Sequence, residues 1–159
     1  MSEDLAILRV SAPRRVFGLA VMLALGGLVL FIAVTNPPAD LPWRLFLLGL
    51  GLAALILAEA MRRATGRALH LTREGLFDSA GRELARIDNI EGIERGAFAI
   101  KPSNGFRVRL VAPAPRAWAP GVWWRVGRHL GVGGVTSAAQ GKAMAEILTA
   151  LLAERPRTR

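Results

Sequence analysis

Side chains able to do covalent or acid–base chemistry are few in this sequence and widely spaced. There are two histidines, His70 and His129, and no cysteine or tyrosine. The lack of cysteine excludes disulfides, thiolate metal sites and thiol nucleophiles. Neither histidine has an Asp, Glu or His at metal-ligand spacing. Both fall in strand-like sequence and read as surface or structural groups. Glu91 and Glu94 flank Gly92 in polar sequence and read as a solvated face rather than an acid–base pair. A covalent mechanism needs a nucleophile, a base and an orienting group together, and the order of residues suggests no such set. Gly131-Val132-Gly133-Gly134 stands before a helical pattern and invites a phosphate-loop reading. It lacks both the Gly-x-Gly-x-x-Gly spacing and the P-loop lysine, so a bent strand entering a helix is the simpler reading. No catalytic residue, metal site or cofactor is expected.

The most suggestive cluster is Arg116, Trp118, Trp123, Trp124, Arg125 and Arg128. Tryptophan and arginine together are typical where protein meets lipid headgroups. The same pairing makes protein-binding hot spots. It also holds single-stranded nucleic acid, a partner not expected here. Against all three stands a plainer division, with two tryptophans in the core and the arginines solubilising the surface.

The elements that must position these residues divide in two. Between residues 16 and 58 the only charged residues are Asp40 and Arg44. From residue 62 onward the chain holds 17 basic and 8 acidic residues, a surplus equal to the +9 of the whole protein. A basic domain beside a membrane is drawn to anionic headgroups, by ~1 kcal/mol per basic residue near the surface. Arg62, Arg63, Arg67, Arg107 and Arg109 are the candidates for that contact. Arg107, Arg109, Arg125 and Arg128 form the set through which a lipid-reading module would act.

Residues 16–35 make an uncharged run of 20, which as a helix is ~30 Å long and matches the hydrocarbon core. Residues 43–61 form a second span, with Trp43 and Arg44 at one interface and Glu59 near the other. Pro37, Pro38 and Pro42 break the helix between them, predicting an antiparallel hairpin. Ala20, Ala24 and Gly27, with Gly49 and Ala53, offer small-residue stripes for close packing, or simply face lipid. Arg9, Arg14 and Arg15 precede the hairpin and Arg62, Arg63 and Arg67 follow it. The positive-inside rule then places both termini in the cytoplasm. Arg14-Arg15 also has the look of a twin-arginine export signal. The apolar run is too long for that, and no Ala-x-Ala cleavage site follows it.

The expected organisation is an N-terminal cytoplasmic tail (1–15), the hairpin (16–61), a basic linker (62–67), a small domain (68–155) and a short tail (156–159). In the domain, Leu69 and Leu71 alternate with polar residues as in a strand. Residues 75–78 and 83–87 are strands around a Ser79-Ala80-Gly81 turn. Ile87, Ile90 and Ile93 anchor an irregular stretch or a further strand. Asn104-Gly105 is a hairpin signal between residues 97–101 and 106–111. Phe106, Val108 and Leu110 alternate with Arg107 and Arg109, predicting a half-buried strand with a basic outer face. Three prolines predict a loop over 112–121, with strands at 122–126 and 128–135 after it. Met144, Ile147, Leu148, Leu151 and Leu152 form the apolar stripe of a closing helix, capped at Thr136 or Ser137.

In this order of elements the chain resembles the bacterial pleckstrin-homology-like families, many of them membrane proteins with a transmembrane pair before the domain. The likeness lies in Leu69-His70-Leu71-Thr72-Arg73-Glu74-Gly75-Leu76 and the Gly81 turn. It continues through Ile87 and Ile90, the 106–110 strand and the closing helix. It implies a helical membrane hairpin plus a small α+β domain, an antiparallel sheet or partial barrel with a C-terminal helix. Such folds host many functions. The expected role is a non-enzymatic inner-membrane protein contacting lipids and another membrane protein as an accessory or assembly subunit. A homo-oligomer is open, and a module reading anionic lipids is the alternative. An enzyme acting on a membrane substrate would need a polar pocket that the sequence does not suggest.

Overall fold

The computed structural model describes residues 3–94 and 104–155. In chain order the elements are β1 (Ala6–Leu8), α1 (Ala12–Thr35), α2 (Leu41–Ala64), β2 (Leu69–Leu71), β3 (Gly75–Asp78) and β4 (Glu83–Arg86). A short 3-10 helix (Ile87–Asn89) leads to β5 (Ile90–Glu94), β6 (Phe106–Ala119), β7 (Trp123–Val132) and α3 (Ala138–Ala153).

The two long helices extend the expected spans by a turn. Each carries a proline in its first turn, where the missing N–H is an orphan anyway. Arg62 and Arg63 occupy the last turn of α2, where cations suit the helix dipole. Both helices are long and apolar enough to cross a membrane. They cover each other and leave the rest bare. Val16, Phe17, Leu25, Phe31, Leu45, Phe46 and Ile56 are all more than half exposed. A core helix of a water-soluble protein would have such residues covered.

The seam between α1 and α2 differs from the expected stripes. Gly27 and Gly49 have open space around them, and Ala20, Ala24 and Ala53 face outward. The close approach is made by Gly26 and Gly51 instead. A methyl on Gly26 would lie 3.1 Å from the Ala54 Cβ, and one on Gly51 3.2 Å from the Gly26 carbonyl oxygen. Ala33, Ala58 and Met61 are buried on the same seam. With glycine or alanine at so many positions, several stripes satisfy the small-residue rule, and only one faces the partner.

The domain consists of two antiparallel sheets and a helix. One sheet has the order β1-β2-β3-β4, the other β5-β6-β7. Leu69, Leu71, Leu76, Leu84, Ile90, Val108, Leu110, Leu130 and Val132 form a fully buried core between them. From α3, Met144 and Leu148 complete that core, with Ile147, Leu151 and Leu152 at its margin, as the stripe predicts.

Residues 6–8 are not a tail. They form β1, with Leu8 opposite Leu69 and Ala6 opposite Leu71, and Leu8 is 1% exposed. The helical hairpin is therefore inserted between two neighbouring strands of one sheet. Its roots are tied down. Arg14 Nη1 donates to the Thr136 carbonyl at 3.0 Å. The Ser11 N–H donates to Val135, and the Ser137 N–H donates to Arg9. An isolated bridge joins Val10 and Thr136.

The expected loop at 112–121 is also overturned. β6 runs on through Pro113 and Pro115 to Ala119, and β7 pairs with it as far as Ala119 opposite Trp123. Strand β5 begins opposite Leu110, so one edge of β6 has no strand beside it beyond that point. Prolines two residues apart share an edge, and a strand tolerates them where that edge is unpaired. The register shifts twice in this stretch, between Arg109 and Ala114 and again before Ala117. The two strands expected at 122–126 and 128–135 are one continuous β7. Residues 97–101, expected to pair across Asn104-Gly105, lie outside the described residues, and 106–110 pairs with β5. Asn104 does take the positive φ (+58°) that the Asn-Gly signal calls for.

Candidate functional site

The arginines of the second sheet are largely tied down by its own acids and by backbone carbonyls. Arg107 pairs with Glu94, directly across the β5–β6 ladder. Arg109 and Arg128 share Glu91 at 3.2 and 3.6 Å, and Arg128 Nε also donates to the Leu110 carbonyl at 3.0 Å. Arg125 is a clamp between the two sheets. Its Nε donates to the Pro115 carbonyl at 2.9 Å and its Nη1 to those of Leu84 and Glu83 at 2.5 and 3.3 Å. These four guanidiniums, the set expected to read anionic lipid, are thus engaged inside the fold. Glu91 and Glu94 are their partners rather than a free solvated face.

The hydrogen bond from Arg107 holds the Glu94 carboxyl below its ordinary value, with smaller help from the charges of Arg107, His129 and Arg109. A carboxyl whose pKa is lower in the folded than in the unfolded state stabilises the fold above its unfolded value. That contribution is lost as pH falls through the lowered folded value. Chemical denaturation in detergent should therefore show a drop in stability from pH 7 to pH 3 that is smaller in Glu94→Gln. An equal drop in the two proteins would remove Glu94 from the acid response.

Each histidine has a carboxylate beside it that its local sequence does not suggest. His70 Nδ1 is 2.9 Å from Asp4, and His129 Nδ1 is 3.7 Å from Glu94. Asp4 reaches His70 because it lies just before β1, opposite β2. No group of three or more metal-ligating side chains occurs among the described residues. The glycines at 131–134 serve packing rather than a phosphate loop. A methyl on Gly131 would enter the Trp124 indole, and one on Gly134 would lie 2.5 Å from the Gly121 carbonyl oxygen. The start of α3 is covered by the chain before α1, where Arg9 accepts from the Ser137 N–H and donates its own N–H to Gln140. Ser137 stands at the cap without a side-chain capping bond, and Thr136 Oγ1 donates to the Asn104 carbonyl instead.

What remains is the end of the domain nearest the hairpin. The β6–β7 turn, at Pro120-Gly121, folds back onto the last turn of α2. Gly121 has φ +76°, and a methyl there would lie 3.3 Å from the Met61 Cε and 3.6 Å from the Thr65 Cγ2. Trp123 is 3% exposed and belongs to the core. Trp124 is half-buried against Gly131, opposite Trp118 in the ladder. Trp118 is 60% exposed. Arg116 is exposed on the same strand. Beside this turn is a cleft of about 210 Å³, lined by Arg63, Arg67, Arg82, Asp78, Trp118 and Trp123 among others.

Of the residues singled out in the sequence, Arg63, Arg67, Trp118 and Trp123 meet at this cleft. Arg62 turns to Glu59, with Nε 2.6 Å from Oε2. Arg107, Arg109, Arg125 and Arg128 do not join it. Arg82 was not singled out. It follows the Ser79-Ala80-Gly81 turn, and only the β3–β4 pairing brings it to the end of α2. Compared with models of protein families, with curated proteins and with solved structures, the chain matches none.

Proposed function

We propose that this chain is a non-catalytic, two-helix inner-membrane protein with both termini cytoplasmic. Its pleckstrin-homology-like domain contacts a membrane partner as an accessory or assembly subunit. The observation that carries this reading is the insertion of the apolar hairpin between β1 and β2, tied at its roots to the chain before α3. A hairpin rooted in a sheet fixes the domain's height and tilt against the bilayer. The β6–β7 turn, with exposed Trp118 and Arg116, then lies beside the end of α2, where headgroups and neighbouring membrane proteins are met. The pleckstrin-homology-like assignment is supported by the seven antiparallel strands among the described residues, divided four and three, closed by one helix. The orientation is supported by Arg14, Arg15, Arg62 and Arg63 at the domain end of the hairpin.

The natural absence of cysteine makes the test direct. A membrane-impermeant maleimide should label Ala39→Cys, in the α1–α2 loop, in intact cells. Ser79→Cys, in the β3–β4 turn, should label only after lysis. The reverse pattern would overturn the orientation. Mild-detergent capture of the tagged chain from native membranes should recover a stoichiometric membrane protein, lost on Trp118→Ala. Recovery of the chain alone would overturn the accessory reading.

A further inference from the structure

The cleft between the end of α2 and the β6–β7 turn has more cationic charge than its acids can neutralise. Three of its lining residues are arginines, Arg63, Arg67 and Arg82, from α2, the α2–β2 connection and the start of the β4 hairpin arm. Asp78 is the acid in the wall, and its oxygens are committed. Oδ1 accepts the Ala80 and Arg82 backbone N–H groups, both at 2.9 Å. Oδ2 faces Arg67 Nη1 at 3.4 Å. Asp78 is buried, so it fixes Arg67 in place rather than screening the whole cleft. Glu59 is the other nearby acid, and it is divided between two arginines, Arg62 Nε at 2.6 Å and Arg63 Nε at 2.6 Å. The Arg82 guanidinium has no hydrogen-bond or ion-pair partner among the described residues. Four arginines thus face two carboxylates, and the surplus of two positive charges sits beside an exposed indole.

We infer that this cleft binds a phosphate anion, held by Arg63, Arg67 and Arg82, with Trp118 against the adjoining glycerol or acyl stem when the phosphate belongs to a phospholipid. The inference rests on the membrane reading above, and it assigns a place and a chemistry that reading leaves open. Guanidinium forks suit phosphate oxygens, being planar and always charged. The cleft begins at Ala60, two residues past the uncharged core of α2 that ends at Ala58, which is headgroup depth for a helix of this length. Trp118 stands where an interfacial indole belongs. On the Arg107–Arg109 face, by contrast, every guanidinium is tied to a carboxylate or a backbone carbonyl, whereas that of Arg82 is not, so that face should contribute little.

The test is native mass spectrometry of the full chain in detergent, with dioleoyl phosphatidylglycerol, dioleoyl phosphatidylcholine or inorganic phosphate added. Phosphatidylglycerol should be retained over phosphatidylcholine. The double substitution Arg63→Gln with Arg82→Gln should weaken that retention by roughly 30-fold, about five-fold per guanidinium. Arg109→Gln should leave it unchanged. Neither substitution in the double variant removes a core contact, and Arg62 remains on Glu59, so the fold should hold; an unchanged melting temperature checks this. Retention of inorganic phosphate in place of the lipid, lost in the same double variant, would assign the site to a free anion. Equal retention by wild type and double variant would overturn the site. A chain that stays soluble without detergent would instead sink the membrane reading, which separates the two failures.

Discussion

Gly105→Ala should strongly destabilise the folded domain, although it adds a single methyl group. The Gly105 backbone lies against the end of β7. A Cβ there would fall far inside contact with the Val132 carbonyl oxygen and 2.6 Å from the Gly133 Cα. Those are backbone atoms, held by the pairing of Phe106 with Val132, so no side chain can swing aside. Relief requires β6 and β7 to part at the point where Phe106, Val108, Leu130 and Val132 build the core. Overpacking of this kind destabilises by about 3 kcal/mol or more when the backbone must move, a large share of a small domain's stability. Trp123, buried in the same core, gives the signal. Its fluorescence transition in detergent should fall by at least about 12 °C. Gly27→Ala is the matched control. It sits in open space on an outward helix face, and alanine is the better helix former. A melt unchanged in Gly105→Ala would mean that β6 and β7 do not pair in this register.

The elements were legible in the sequence wherever one period dominated. The two apolar runs form the two long helices, and the 106–110 alternation and the α3 stripe bury the residues their spacing implies. Three things were not legible. β1 is three residues long and stands before a long apolar run, so Ala6-Ile7-Leu8 has too few residues to show a period, and its partner is more than 60 residues away in sequence. The extension of β6 was hidden because Pro113 and Pro115 normally exclude a strand. The exception depends on which edge is unpaired, and that is set by where β5 begins. The helix seam was hidden because glycine and alanine are abundant on several faces of α1 and α2.

The same limits explain the candidate site. Arg and Trp types draw attention to the 116–128 region, but charge alone does not say which arginines are already paired. Glu91 and Glu94 lie at the wrong spacing for one strand face. The register irregularity between Ile90 and Gly92 lets both meet the arginines of β6 and β7. Arg125 looked like a surface cation and proves to join two sheets, because its neighbours are carbonyls of β4, some 40 residues earlier. The cleft itself is assembled from α2, the β3–β4 turn and the β6–β7 turn. No local pattern could have announced Arg82.

A soluble, folded domain should result when the hairpin is excised and its two roots are joined. β1 and β2 are antiparallel neighbours with Leu8 opposite Leu69, so the chain leaves the sheet and returns to it at adjacent points. Packed helices lie 8–10 Å apart, a gap that about four linker residues span. Residues 3–11, a four-residue Gly/Asn/Ser linker and residues 66–155 would then retain both sheets, α3 and the Ser11–Val135 and Ser137–Arg9 hydrogen bonds. Residues 66–155 alone would not. They lose Leu8 from the core, open the edge of β2 to aggregation and strip β1 from α3, which packs against it. The joined chain should elute as a monomer with dispersed amide resonances, and the shorter piece should aggregate. Leu8→Ala in the joined chain should cost about 2–5 kcal/mol, the range for a fully buried leucine. The loss of Met61, which touches the Gly121 turn, is the smaller effect, since one flexible side chain at the rim is removed rather than a strand. If residues 66–155 folded as well without β1, the hairpin would be an appendage before a self-sufficient domain, and its ties would not set how the domain sits on the hairpin.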